Sequence, residues 1–152
     1  MALTTTPVRP TATIRRFGYG IAIFLNAAAL AAVNIWPGWH VVPFLTPDMA
    51  LVLPLVNASI ISSLIADAVY LVDDAPWLRE LGNLVTTAIG AVALVRMWQV
   101  FPFDFADAAV DWAFVVRTLI VLGVAGSVIA ITVSIAAKLR AALSPQVTEH
   151  HP

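Results

Sequence analysis

Residues 113–137, AFVVRTLIVLGVAGSVIAITVSIAA, decide the fold. The run holds twenty-five residues with one ionisable side chain, Arg117, and is followed at once by Lys138 and Arg140. A helix of about 20 mostly apolar residues crosses the ~30 Å hydrocarbon core of a bilayer. Inside that core only helices and closed barrels satisfy their own backbone groups. The apolar residues here are continuous rather than alternating, and the run far exceeds strand length. Three similar runs lie upstream. Residues 17–36 are closed by Trp36-Pro37-Gly38, 50–72 by Asp73-Asp74-Ala75-Pro76, and 81–101 by Phe101-Pro102. The expectation is an all-α protein, a four-helix transmembrane bundle whose neighbours are antiparallel because the connections are short. It forms one membrane domain over 14–143. The tails, 1–13 and 144–152, are Thr/Pro-rich or polar and read as disordered.

Composition agrees with the spans. Of 152 residues, 61% are hydrophobic and 11% charged, with mean hydropathy +0.91. Soluble domains carry about 25% charged residues, so an ordinary soluble domain, a disordered chain and a basic nucleic-acid binder are excluded. The lipid bilayer is the first partner, and no nucleic acid is expected. There is no cysteine, which removes disulfides, thiolate metal sites and thiol–disulfide exchange. His40, His150 and His151 lie outside the spans and offer no axial haem ligand. No phosphate-cradling, zincin or nucleophile-elbow motif occurs, so neither a catalytic residue nor a cofactor is nominated. His40 with Asp48, Asp104, Asp107 and Asp111 lacks any spacing that fixes a ligand geometry, and no metal site is expected.

Basic residues orient the bundle. Arg9, Arg15 and Arg16 precede the first span, Arg79 lies between the second and third, and Lys138 and Arg140 follow the fourth. The loops at 37–49 and 102–112 contain no Lys or Arg. Both termini are therefore expected in the cytoplasm of a cell (inner) membrane protein. Trp36, Trp39, Trp98 and Trp112 mark the outer boundary, and Trp77, Tyr19 and Tyr70 the inner one. Arg15-Arg16 before Ala27-Ala28-Ala29 has the outline of a cleavable signal. The apolar run continues to Trp36, however, and the first span is read as retained.

The two halves echo one another. Val33-Asn34-Ile35-Trp36 precedes Val41-Val42-Pro43-Phe44, and Val95-Arg96-Met97-Trp98 precedes Val100-Phe101-Pro102-Phe103. Beyond each Pro, Asn57 and Arg117 fall at nearly matching positions, one residue out of step. The expectation is a duplicated helical hairpin, its copies related by an axis along the membrane normal.

Three ionisable residues lie within spans, Asp67, Arg96 and Arg117, and such groups are costly enough to nominate function. Arg96 and Arg117 fall at one depth, with Asn34, Asn57 and Gln99 near the same level. Two guanidinium groups in a polar ring suit an anion, a carboxylate or a lipid phosphate. Alternatively they pair with Asp104, Asp107 and Asp111 in the loop above, or snorkel to lipid phosphates. Ser59, Ser63 and Asp67 share a face of the second span, and Asn83 lies at the depth of Asp67. An intramembrane Asp is a proton-relay candidate, against which stands a plain interhelical hydrogen bond. Ala58, Ser62 and Ala66, and Gly123 with Gly126-Ser127, form small-residue stripes that permit close helix contact, within the bundle or in a homo-oligomer.

Trp36-Pro37-Gly38-Trp39, Val42-Pro43-Phe44-Leu45-Thr46 and Phe101-Pro102-Phe103-Asp104-Phe105 resemble a group of small four-span membrane proteins from actinobacteria. The resemblance covers about residues 15–140, implies a multi-pass inner-membrane location and adds no chemistry. The first span lacks the Glu essential to small multidrug transporters, and the paired cysteines of quinone-coupled four-helix oxidoreductases are missing. The favoured expectation is a non-catalytic accessory, assembly or lipid-interacting component, with an anionic lipid or a membrane protein as partner. The alternative is a small transporter or channel subunit using Asp67, Arg96 and Arg117. An enzyme comes third, with no nucleophile–base constellation behind it.

Overall fold

Residues 12–106 and 110–143 are described by a computed structural model, and they form four long helices. These are α1 (Ala12–Asn34), α2 (Leu53–Val72), α3 (Pro76–Val100) and α4 (Trp112–Leu143), with short 3-10 turns at Trp39–Val41 and Pro47–Leu51. The protein is an all-α four-helix bundle. All four helices are long and apolar enough to cross a membrane.

Each helix stops where local chemistry stops it. After α1, Pro37 biases Trp36 away from the helical region, and Gly38 sits at φ 84°, a conformation that favours glycine. α3 ends at Phe101, whose φ is 43°, immediately before Pro102. Pro76 occupies the first turn of α3, where its missing N–H is no loss. Asp111 caps α4, its Oδ1 accepting the Phe114 N–H at 2.9 Å. The helices differ in length from the apolar runs. α1 starts at Ala12 rather than 17, α3 at Pro76 rather than 81, and α4 continues to Leu143 rather than 137. Hydropathy counts apolar residues, whereas Arg15, Arg79, Glu80, Lys138 and Arg140 are polar but good helix formers. The helix therefore outlasts the hydrocarbon it would cross.

α1 packs on α2, α2 on α3 and α3 on α4. α1 and α4 share no comparable interface among the described residues, so they form the margins of the bundle. α1 has no fully buried residue. Its less exposed positions, among them Arg15, Tyr19, Asn26, Leu30 and Val33, recur every three or four residues and make one stripe. Elsewhere large apolar groups are bare: Phe24 is 70% exposed and Leu122 62%. Such a surface is costly in water and ordinary in lipid.

The loop end ties the two hairpins together. The Thr46 N–H donates to Pro102 O (3.1 Å) and the Asp104 N–H to Phe44 O (3.0 Å), around an antiparallel bridge between Leu45 and Phe103. Phe44 stacks on Phe105 at 5.7 Å and Phe103 on Phe105 at 5.9 Å. Val52 and Pro102 are fully buried. Thus the two Pro-Phe loops that the sequence presents as copies pair with each other. The opposite end, which carries the α2–α3 turn, closes differently. The Tyr70 hydroxyl donates to Arg79 O at 3.1 Å, and its ring crosses α3 at Gly82. A Cβ at Gly82 would overlap the Tyr70 hydroxyl.

Candidate functional site

At the loop end the polar residues divide into a neutral pair and a cationic one. Asn34, the last residue of α1, and Asn57 on α2 exchange two hydrogen bonds across the seam. Asn34 Nδ2 donates to Asn57 Oδ1 at 2.9 Å, and Asn57 Nδ2 to Asn34 Oδ1 at 2.7 Å. Asn34 also donates to Leu30 O at 2.9 Å. These two amides are satisfied by one another.

Arg96 lies four residues before the end of α3 and Arg117 in the second turn of α4. The Arg117 guanidinium lies 4.0 Å from the Phe101 ring centroid and 5.4 Å from that of Trp98. Over an aromatic face a guanidinium gains cation–π attraction, and a stacked guanidinium keeps its N–H groups free to bond within its own plane. Neither arginine forms an ion pair with Asp104 or Asp111 among the described residues. Those carboxylates serve the backbone instead: Asp104 Oδ1 accepts the Ala106 N–H at 3.2 Å, and Asp111 caps α4. Asp107 lies outside the described residues. Arg96 is half-buried, while Arg117 and Gln99 are exposed. His40 rests edge-on against Trp39 at 5.9 Å.

Below the loop end, the α1–α2 seam continues as a series of polar rungs. The Asp67 carboxylate accepts the Asn26 amide through Oδ2 at 3.4 Å. Ser63 turns inward on its own helix, donating to Ser59 O at 3.0 Å. Nearer the turn end, the Tyr19 and Tyr70 rings meet at 5.5 Å. At the turn itself Asp74 gathers three partners. Arg15 Nε donates to Oδ2 at 2.7 Å, the Tyr19 hydroxyl donates to Oδ1 at 2.9 Å, and Arg79 Nε lies 3.2 Å from Oδ1. The Arg79 contact is an ion pair without an aligned hydrogen bond. The hydrogen bond from Arg15, then that from Tyr19, hold the Asp74 carboxyl below the usual carboxylate range.

Sequence reasoning placed Asp67 and Asn83 at one depth, and the structure sets both on the wall of one cavity. This cavity, about 330 Å³, is lined by Tyr19, Asp67, Tyr70, Pro76, Arg79, Glu80 and Asn83. The carboxylate's bond, however, comes from Asn26 of α1, a residue the sequence did not nominate. The Asp74 cluster was also missed. The available signal was register: eight residues back from Asn34 on α1 and ten along from Asn57 on α2 stand Asn26 and Asp67. On the α3–α4 side a crevice of about 400 Å³ shares Glu80 and Asn83 and is bounded by Lys138, whose ammonium lies 3.9 Å from Glu80.

No family model, curated protein or solved structure matches the chain.

Proposed function

We propose that the protein is a non-catalytic, multi-pass component of a cell (inner) membrane, with both termini cytoplasmic, that binds an anionic lipid headgroup at the loop end through Arg96 and Arg117. One observation carries the reading. Among the described residues Arg117 sits on Phe101 and Trp98 and makes no ion pair with Asp104 or Asp111, each of which turns Oδ1 to a backbone N–H. Two like charges expected at one depth of the bundle favour an anion in their neighbourhood. A phosphate oxygen pair matches the guanidinium fork and gains charge-assisted hydrogen bonds. Trp36, Trp98 and Trp112 set that level at the membrane interface, where lipid phosphates lie. The bound lipid then fixes how the α3–α4 margin meets its surroundings, which suits an accessory or assembly role. A transport subunit is less well supported, because Asn34 with Asn57 and Asn26 with Asp67 bond across their seam in pairs rather than facing a common passage.

The test is thermal unfolding of the full chain in a neutral detergent with added phosphatidylglycerol or phosphatidylcholine, together with native mass spectrometry of retained lipid. Phosphatidylglycerol is expected to raise the Tm of the wild type and to remain bound in stoichiometric amount. Arg117→Ala and Arg96→Ala are each expected to lose that rise. A rise that is equal with phosphatidylcholine, or one that survives both substitutions, contradicts the reading. Asp107→Asn supplies the internal control: if Asp107 were the arginines' partner, its removal would strengthen lipid retention several-fold.

A further inference from the structure

We infer that the apolar groove between α3 and α4 beneath Arg117 holds an acyl chain of the lipid whose phosphate Arg117 meets. The ligand of this margin is then a chain-bearing phosphate and not a free anion. The inference rests on the headgroup reading above and adds the tail to it. The groove, about 300 Å³, is lined by Val95 and Trp98 of α3 and by Ile120, Val121, Val124 and Ala125 of α4. On α4 these residues follow Arg117 by three, four, seven and eight positions. That spacing sets them on the helix face that carries Arg117. At 1.5 Å per residue the face runs about 12 Å from Arg117 to Ala125, away from the loop end. Trp98 joins the two parts, for it lines the groove and its ring lies 5.4 Å from the Arg117 guanidinium. The guanidinium also lies over Phe101, just past the end of α3. The cation thus stands at the loop-side mouth of an apolar slot. A lipid with its phosphate outward and its chain inward has the matching order of charge.

The seam between the helices closes on one side and stays open on the other. A Cβ at Gly123 would lie 2.9 Å from Leu94 Cδ1, so α3 and α4 touch there. One residue further along α3, between Val95 and Trp98 and the short side chains of Val121, Val124 and Ala125, lies the groove. Ile120 is buried beneath it, while Val95, Trp98 and Val121 are exposed at its rim. The lining comes from these two helices alone, and among the described residues α4 shares a substantial interface only with α3. Apart from the indole N–H of Trp98 the walls are apolar, so a charged guest gains nothing inside them. A groove of this volume is at the small end of ligand clefts and suits one chain rather than two. Lipid around the protein is already apolar, so the groove adds dispersion contact rather than hydrophobic transfer. That gain is modest, and it becomes selective when the same molecule is anchored at Arg117. A free phosphate or carboxylate would meet the guanidinium and leave the groove unused.

The experiment is native mass spectrometry of the full chain released from nanodiscs of phosphatidylglycerol and phosphatidylcholine with identical acyl chains. The wild type is expected to retain phosphatidylglycerol in preference. Ala125→Phe and Val121→Trp each put a large ring into the groove from an exposed position. Each should lower retained phosphatidylglycerol about threefold, the size of a handful of lost dispersion contacts. Leu122→Phe adds similar bulk at an exposed position outside the groove and should retain lipid as the wild type does. Arg117→Ala combined with Ala125→Phe should lose little more than Arg117→Ala alone, because both act on one molecule. In detergent, sn-glycerol 3-phosphate, a headgroup phosphate without chains, should leave the wild-type Tm unchanged at concentrations where phosphatidylglycerol raises it. A preference for phosphatidylglycerol that needs Arg117 but ignores both groove variants overturns the chain site and leaves the headgroup reading standing. A Tm rise with sn-glycerol 3-phosphate equal to that with phosphatidylglycerol does the same. Losses in the groove variants that are equal for the two lipids, with no preference in the wild type, overturn both.

Discussion

The two hairpins solve one packing problem with different chemistry. Along α1–α2 polar contacts recur from one end to the other: Asn34 with Asn57, Asn26 with Asp67, Tyr19 with Tyr70, and Arg15 with Asp74. Along α3–α4 they are close and apolar. A Cβ at Gly123 would lie 2.9 Å from Leu94 Cδ1, and the ion pair at the turn end, Lys138 with Glu80, is loose and exposed. Where the first hairpin closes an amide pair, the second carries Arg96 and Arg117. Lipid tails are as apolar as leucine, so helices associate in a membrane through hydrogen bonds or through close contact of small residues. The first hairpin uses one route and the second the other. The difference teaches where unsatisfied polar capacity remains: at the loop end of α3–α4, and in the cavity beside Asp67.

The largest effect is expected at Asp74, which holds partners from both α1 and α3. Asp74→Ala leaves the Arg15 and Arg79 guanidinium groups facing each other without their carboxylate, and should lower Tm more than any other single change in the α1–α2 seam. The pH dependence follows from the same contacts. Because the folded-state carboxyl is held below its ordinary range, its contribution is complete above the unfolded carboxylate value near 4. The contribution is lost as pH falls through the lower folded value. Tm should thus be level between pH 7 and 5 and fall below about 4. In Asp74→Ala that acid limb should shrink. An acid limb of wild-type size in the variant would remove Asp74 from the account of the hairpin.

A smaller effect, with a more specific signature, is expected at Asn34 and Asn57. Each single change to Leu strands the other amide at the membrane boundary, costing about 1–2 kcal/mol. The double change removes both polar groups together and should cost clearly less than the two singles combined. A denaturant or thermal double-mutant cycle measures this coupling. Strict additivity would mean that the amides are independently solvated and that the rung is not a unit, which would dissolve the contrast with Arg96 and Arg117.

The legible part of this molecule was whatever depends on one chain segment at a time. Four apolar runs, ended by Pro37, Pro76, Pro102 and the basic pair after Ala137, dictate four helices, since a helix satisfies its own backbone. The true ends of α1, α3 and α4 were not legible from hydropathy, because polar residues such as Arg79 and Glu80 extend a helix as readily as apolar ones. Asp67 was nominated because an acid within a span is conspicuous on its own. Asn26 was passed over because a lone amide in a span is not, and only cross-hairpin register makes it Asp67's partner. Asp74 likewise looked like part of a helix stop. Its partners, Arg15 and Tyr19, lie more than fifty residues away in sequence. For Arg117 the sequence left an anion site and pairing with Asp104, Asp107 and Asp111 both open; among the described residues its guanidinium lies over Phe101 and Trp98, aromatic neighbours that a count of charges does not reveal.

The smallest expected effect is at Gly123, and its size discriminates between two meanings of close contact. If the α3–α4 seam is held by the fit of backbone against backbone, any added atom there should separate the helices. The neighbour in question is the tip of Leu94, however, a flexible terminal methyl rather than main chain. Shifting it by a few tenths of an ångström costs a fraction of the 1–3 kcal/mol typical of overpacking. Alanine in a helix interior returns up to about 1 kcal/mol over glycine. Gly123→Ala should therefore change stability by less than about 1 kcal/mol in either direction. Gly82→Ala, whose new Cβ meets the hydroxyl of a buried tyrosine bonded to Arg79 O, provides the contrasting case in the same assay. Equal losses at the two positions would show that the second hairpin is as tightly specified as the hydrogen-bonded face of Tyr70, and that its freedom to accept a lipid at one margin has to be sought elsewhere.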